Sequence, residues 1–220
     1  MDQGERGRIS GEAETMLTEL RRRLRRDEAG ASWHSPRIRG DHDLNPGMGI
    51  MNPLREAAVL VPLVRRPDGI TLIFTRRTAH LAYHAGQISF PGGHIEPEDE
   101  DPEAAALRET WEEIGLHRDH VEPLGRLDTY ITRTGFRVTP VVGLIQPPFQ
   151  LKPDPQEVAE VFEVPLTVIM DPALPRQESR NLSGVSRFFY AFPYRSDSIW
   201  GATAGMLVNL REVLGALPKW

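Results

Sequence analysis

The chain contains no cysteine, which removes disulfides, zinc–thiolate sites and cysteine nucleophiles and leaves a reducing compartment as a compatible setting. It has no apolar run near the roughly 20 residues that a membrane-spanning helix needs. Its first apolar cluster is broken by Glu19, Arg21, Arg22 and Arg23, unlike the short apolar centre of a secretory leader. A cytoplasmic protein is therefore expected. A surplus of positive charge is missing as well, the formal net charge being -5. Binders of long polyanions neutralise phosphates with a basic surface, so neither nucleic acid nor a membrane is the expected partner. A small phosphorylated ligand would depend on local arginines or on a metal.

What is there suffices for one core: 220 residues, of which 40% are hydrophobic and 26% charged, fit a single globular domain with modest extensions. Met16, Leu17, Leu20 and Leu24 recur at helical spacing, with arginines gathered late, predicting an amphipathic helix over residues 11–27 that packs on the domain through its leucines. Residues 29–53 are rich in Gly, Pro, Asp and Asn and predict an irregular connector. The expected division is an N-terminal helix and connector, 1–53, and a main domain, 54–220. Residues 57–64 and 70–75 are apolar runs separated by Pro67, Asp68 and Gly69, which predicts an antiparallel hairpin. Further strands are expected over 125–132, 138–144 and 188–194. Helices are expected over 102–114, over 157–170 with a division at Pro165, and over 202–217. Strands outnumber helices and are joined partly by hairpins, which predicts an α+β fold with a mixed sheet flanked by helices. Edge strands and the N-terminal helix leave a homodimer open.

The segment with most chemistry is Pro91-Gly92-Gly93, an acidic loop, and then 104–116, AAALRETWEEIGL. Asp101 is placed to cap a helix, Pro102 suits its first turn and Gly115 its end. At about 100° per residue, Glu109, Glu112 and Glu113 share an arc of roughly 100°, while Leu107, Trp111 and Ile114 gather opposite. Carboxylates so placed repel and raise one another's pKa. A hard divalent cation removes that conflict, and oxygen ligands without Cys or a His cluster favour Mg²⁺ or Mn²⁺. A merely solvated acidic face is the alternative reading of the glutamates alone.

These residues resemble the box of the Nudix hydrolases, G-x5-E-x7-R-E-U-x-E-E-x-G-U, where U is a bulky aliphatic residue. Arg108, Glu109, Glu112, Glu113, Gly115 and Leu116 match its second half at every spacing. Gly93 to Arg108 is one residue longer than the pattern, and Thr110 stands in place of a bulky aliphatic residue. Asp99 keeps the spacing to Gly93 and Glu100 the spacing to Arg108, so both remain open for the loop acid. The resemblance implies a Nudix-type α/β/α sandwich. It also implies Glu109, Glu112 and Glu113 as metal ligands, Glu109 as a candidate to activate water, and Arg108 as the group that orients a glutamate. Glu157 is a further metal-ligand candidate, with helix capping or a surface ion pair as its alternative.

Upstream, LIFTRR over 72–77 and LAYHAGQISFPGG over 81–93 resemble the additional signature of coenzyme A pyrophosphatases, roughly L-L-T-x-R-S and L-R-x-H-x-G-Q-x-x-F-P-G-G. Later segments around 138–143, 157–166 and 199–204 resemble that subfamily too, so the likeness spans about 54–215. Ala82 stands where the signature has arginine, and Arg77 where it has serine or alanine. The implied reaction is hydrolysis of coenzyme A to 3′,5′-ADP and 4′-phosphopantetheine, whose 3′-phosphate calls for a basic partner. Arg76, Arg77, Arg133 and Arg137 are the candidates, with ordinary surface charge as their alternative. His84, Gln87, Gly92 and Gly93 are candidate substrate-loop residues, and loop architecture alone would also account for them. Trp200 is expected to pack the C-terminal segment. The Ala82 departure keeps NADH, ADP-ribose or another nucleoside diphosphate conjugate as an alternative substrate. A non-catalytic domain that senses a nucleotide or binds a protein is the alternative of another class.

Overall fold

Why these strands form one sheet is legible in their alternation: on a single strand Leu72 and Phe74 face one apolar cluster and Ile73 faces another, as a period of two requires. The computed structural model describes residues 3–24, 37–80, 84–182 and 184–215, with side chains from Glu14 onward. In chain order the elements are α1 (Gln3–Leu24), β1 (Arg39–Gly40), β2 (Arg55–Arg66), β3 (Gly69–Arg77), β4 (Ile88–Ser89), β5 (Gly92–His94), α2 (Pro102–Ile114), β6 (Val121–Arg126) and β7 (Tyr130–Ile131). There follow β8 (Phe136–Ile145), β9 (Val158–Pro165), α3 (Leu166–Ile169), β10 (Arg176–Leu182), β11 (Val185–Tyr194), β12 (Asp197–Trp200) and α4 (Ala202–Gly215).

A nine-stranded mixed sheet runs β1-β7-β8-β2-β3-β4, with β5 on β2, β6 on β8 and β9 on β3. Its centre is the parallel pair β2–β8, in register from Arg55↔Phe136 to Val64↔Ile145. The expected hairpin is β2–β3, antiparallel with Leu63↔Leu72. One face of the sheet buries Leu17, Leu20, Phe74, Val142, Leu207 and Leu210 beneath α1 and α4. The other buries Ala58, Leu60, Ile73, Ala105, Leu107 and Ile114 beneath α2. The result is an α/β/α sandwich, with a second, three-stranded antiparallel sheet β10-β11-β12 beside it. Full burial of a leucine contributes about 1.5–3 kcal/mol, so α1 is part of the core and not an appendage. Its Arg21 pairs with Glu122, and Arg22 and Arg23 pair with Glu19. Among the described residues no helix is long and apolar enough to cross a membrane.

Several expectations need correction. Helix α1 starts at Gln3, before residue 11, while residues 25–27 lie outside the described residues. In the connector, of which 29–36 lie outside the described residues, β1 pairs in parallel with β7 and a 3-10 turn covers Asp41–Asp43. The strand expected over 125–132 is two strands, β6 and β7. Residues 158–165 form a strand, not a helix, because Val158, Val161 and Val164 sit on a segment that pairs antiparallel with β3 and β-branched residues suit that surface. Only 166–169 are helical there. Helix α4 is described to Gly215, and 216–217 lie outside the described residues.

Candidate active site

Helix α2 begins and ends where its sequence dictates. The Asp101 carboxylate accepts the Ala104 N–H at 2.7 Å, Pro102 occupies the first turn, and Gly115 adopts φ 67° while donating to Trp111 O, the backbone conformation that glycine supplies most cheaply. The docked side differs from the expected one. Trp111 is 52% exposed and meets His117 edge-on at 5.5 Å. Thr110 is fully buried instead, its hydroxyl donating to Ala106 O at 2.6 Å. Small Ala105 and Ala106 let the helix approach the sheet, and that approach turns Thr110 and Glu113 inward and Trp111 outward.

This rotation spreads the three glutamates over a gradient of burial. The side chain of Glu112 is 55% exposed, that of Glu109 18% and that of Glu113 6%. Glu113 Oε2 accepts the Gly92 N–H at 3.1 Å, and Oε1 stands 3.6 Å from Arg77 Nη1. Burial nevertheless pushes its carboxyl up to about 8, against the opposing pull of the Gly92 amide and Arg77 and with reinforcement from Glu157 and Glu109. Burial raises Glu109 too, while Arg108 opposes the rise and Glu112 and Glu157 add to it. Glu109 lies directly against β5: a Cβ on Gly93 would sit 2.4 Å from its Oε2. That close approach is why residue 93 has no side chain.

Arg108 fastens the acidic loop to the helix. Its Nε and Nη2 donate to Asp99 at 3.1 and 2.9 Å, Nη2 also to His94 O at 3.0 Å, and Nη1 to Glu109 at 2.9 Å and Glu112 at 3.1 Å. Asp99 thus fills the loop-acid position that the sequence left open between it and the exposed Glu100. The guanidinium holds the Asp99 carboxyl below its usual range, and these bonds raise the arginine in turn.

Among the described residues no group of three or more His, Asp or Glu side chains stands already gathered as a metal cage. The donor chemistry nonetheless suits a hard cation. Glu109, Glu113 and Glu157 are near enough to disfavour one another's charge, every donor is oxygen, and Arg108 is the principal cation set against Glu109. Glu157 is exposed, and its backbone carbonyl accepts from Thr78.

A cleft of about 320 Å³ opens beside this cluster and gathers Arg77, His84, Gln87, Gly92 and Arg133 from separate parts of the chain. His84 Nδ1 lies 2.7 Å from Gln87 Oε1, so the loop pair is internally bonded as well as facing the cleft. Arg76 and Arg137 are not brought there. Arg76 is held bidentately by Asp197 and also by Glu160, and Arg137 pairs with Glu56 at 2.9 Å. The cleft lining also includes residues that the sequence does not mark as binding groups, among them Asp41, Thr132 and Trp200. Asp41 accepts the Arg133 N–H at 2.7 Å and the Tyr130 hydroxyl at 2.8 Å. Its place in an Asp- and Gly-rich connector gave no local sign of that role, since the partners lie in a distant strand and loop.

A family model described as the NUDIX domain matches residues 54–185. The Nudix hydrolase NudL of Escherichia coli (strain K12), described as uncharacterized, is 40% identical over 166 residues, covering 74% of this chain and 85% of that protein. NudL of Photorhabdus laumondii is 39% identical over 158 residues, covering 72% and 84%. Among solved structures, the Nudix hydrolase RenU of M. smegmatis has a TM-score of 0.49 at 20% identity, covering 88% of this chain and 94% of that one. Nudix hydrolases act on nucleoside diphosphate conjugates and generally use divalent metal ions. With the matched domain spanning most of the described chain and NudL proteins similar over most of their length, this chain belongs to the Nudix hydrolase family.

Proposed function

We propose that this hydrolase cleaves the diphosphate of coenzyme A or a derivative, releasing 3′,5′-ADP and 4′-phosphopantetheine. The observation that carries the reading is the meeting of two motifs. His84, Gln87, Phe90 and Gly92, which belong to the segment resembling the coenzyme A pyrophosphatase signature, line the cleft, and the Gly92 amide is bonded to Glu113 of the acidic helix. A Mg²⁺ or Mn²⁺ ion held by Glu109, Glu112 and Glu113, with Glu157 as a further ligand, would neutralise phosphate oxygens and lower the pKa of water.

The chain's own groups have separable tasks. Glu109, largely withdrawn from solvent and oriented by Arg108, takes a proton from the attacking water. As the new P–O bond forms, the bridging P–O bond breaks and its electron pair leaves with the departing phosphate. Arg77, beside Glu113, and Arg133, across the cleft, face the charge that gathers on the phosphate oxygens. Gly92 fixes Glu113 through its amide, and Gly93 leaves the room that Glu109 occupies. The same proposal assigns hydrolysis to residues 54–220 and structural support to residues 1–53.

The test is a mass-spectrometric product assay with coenzyme A, NADH and ADP-ribose side by side, with and without Mg²⁺ or Mn²⁺. Preferential release of 3′,5′-ADP and phosphopantetheine, abolished in Glu113→Gln, is the expected result. Turnover of NADH or ADP-ribose alone would overturn the coenzyme A assignment and keep the hydrolase. Binding without turnover of any of the three would refute catalysis of this kind.

A further inference from the structure

The cleft does not end at Arg133. A second hollow of about 200 Å³ adjoins it and shares Asp41, Arg133, Trp200 and Gly201 with it. Its walls come from the small sheet and the connector. The floor is aromatic, with the Phe189 and Trp200 rings 5.3 Å apart. The connector wall is pinned by Asn45, whose amide nitrogen donates to Asp41 O at 2.7 Å and Phe188 O at 2.9 Å and whose oxygen accepts the Phe188 N–H at 2.9 Å.

The charges around this hollow are unusual for this protein. Most arginines near the site are matched by carboxylates, as Arg76, Arg108 and Arg137 are. Arg133, Arg180 and Arg187 line the hollow together, and among the described residues none of the three forms an ion pair with a carboxylate. Arg180 on β10 and Arg187 on β11 are direct cross-strand partners, a placement in which like charges destabilise a sheet. The Arg180 guanidinium lies over the Trp200 ring at 5.0 Å, which offsets some of that repulsion. Asp41 supplies the one carboxylate of the lining, and each of its oxygens already accepts a hydrogen bond.

Uncompensated guanidinium groups above an aromatic floor suit a ligand with both a planar ring and a phosphate monoester, because the guanidinium fork binds phosphate oxygens and the ring offers a stacking face. We infer that this hollow is the subsite for a nucleoside bearing a terminal phosphomonoester, held by Arg180 and Arg187 with its base against Trp200, while its diphosphate reaches through the shared wall to the acidic helix. The inference deepens the coenzyme A reading and rests on it for the substrate. The subsite also distinguishes the two phosphate positions of the ligand: Arg180 and Arg187 serve the monoester, and Arg77 and Arg133, with the metal that the glutamates would hold, would serve the diphosphate.

Two measurements separate the subsite from the substrate assignment. Calorimetric titration of the metal-free full chain with 3′,5′-ADP, 5′-AMP and inorganic phosphate reads the hollow without turnover. Tighter binding of 3′,5′-ADP than of 5′-AMP is expected, weakened about tenfold or more by Arg180→Gln with Arg187→Gln and unaffected by Arg176→Gln on the same strand. Equal affinity for 3′,5′-ADP and 5′-AMP, or equal loss in the Arg176→Gln control, would overturn the subsite whatever the enzyme hydrolyses. In turnover, the double variant should raise KM for coenzyme A about tenfold more than it raises KM for dephospho-coenzyme A. Parallel loss for both substrates would reject monoester recognition. If wild-type protein hydrolyses neither, the substrate reading fails, and the binding comparison still decides the subsite.

Discussion

The two faces of the central sheet bury polar groups in different ways. Under α1 and α4, Asn209 and Arg23 are buried with neighbours of fitting character: Asn209 receives the Asp128 N–H and donates to its carboxylate, and Arg23 is bonded to Glu19 and to Val213 O. Under α2 the buried carboxyl of Glu113 is held up to about 8, with two other acids opposing its ionisation. The proposed mechanism draws on this contrast, with neutral or paired groups holding the first interior and an electrostatically strained carboxyl facing the site at the second.

That contrast can be broken at several points. The largest effect is expected from Glu109→Gln, which keeps the shape of the side chain and removes the proton acceptor: kcat should fall by about 10²–10⁴-fold with the melting temperature little changed, as steady-state kinetics and calorimetry would show. A wild-type kcat would remove Glu109 from the chemistry. The reciprocal change, Leu20→Ala on the opposite face, should lower unfolding free energy by about 2–5 kcal/mol while kcat at a permissive temperature stays within a factor of about two, on the order of 0.4 kcal/mol. A loss of kcat out of proportion to folded protein would show that the two faces are not separate.

Gly93→Ala places a methyl group against the Glu109 carboxylate, and displacement of that group should reduce kcat/KM by about 10²-fold. Unchanged kinetics would mean that Glu109 has room to move. The smallest effect concerns protons. Glu113 ordinarily titrates at 4.5 and is held up to about 8 in the folded, metal-free protein. The folded state therefore binds more protons than the unfolded state between those values, so this group lowers stability as pH rises through that window and adds no further loss above it. Adding Mg²⁺ at pH 7 should release about one proton or less, a release that vanishes above pH 9. Calorimetry in buffers of different ionisation enthalpy measures it. Release that persists at pH 9, or none at pH 7, would remove Glu113 from the ions the metal meets.

Much of the α2 side was legible because local chemistry marks it. Asp101, Pro102 and Gly115 set both ends of the helix, and the run from Arg108 to Glu113 gave the acidic set. Which sector of the helix would dock was not legible, since a helical wheel gives relative angles without saying that Ala105 and Ala106 permit the closest approach. The wheel groups Trp111 with Leu107 and Ile114, whereas tertiary fit buries Thr110 and leaves Trp111 exposed. The stretch 158–165 carries a helical signal for a related reason. Val158, Val161 and Phe162 mimic a helical stripe, and only the available edge of β3 decides for a strand. In the three-stranded sheet the strand expected over 188–194 lies within β11, whereas β10 is exposed along its whole length, so hydrophobic alternation does not announce it.

The bonds made by Arg108 bear on how this loop can change length. Because Asp99 and not Glu100 meets the guanidinium, the residue by which this chain exceeds the family pattern falls after Asp99, on the way into the helix. From Gly93 to Asp99 the path is held at both ends, by the pairing of Gly93 with Ala58 of β2 and by the bonds of Arg108 to Asp99. Beyond Asp99 the backbone is free to take an extra step before Asp101 starts the first turn. Insertions should therefore accumulate at the helix entrance, where a side-chain bridge keeps the acid in place whatever the chain length, and aligning relatives on Arg108 alone would assign the loop acid to the wrong neighbour.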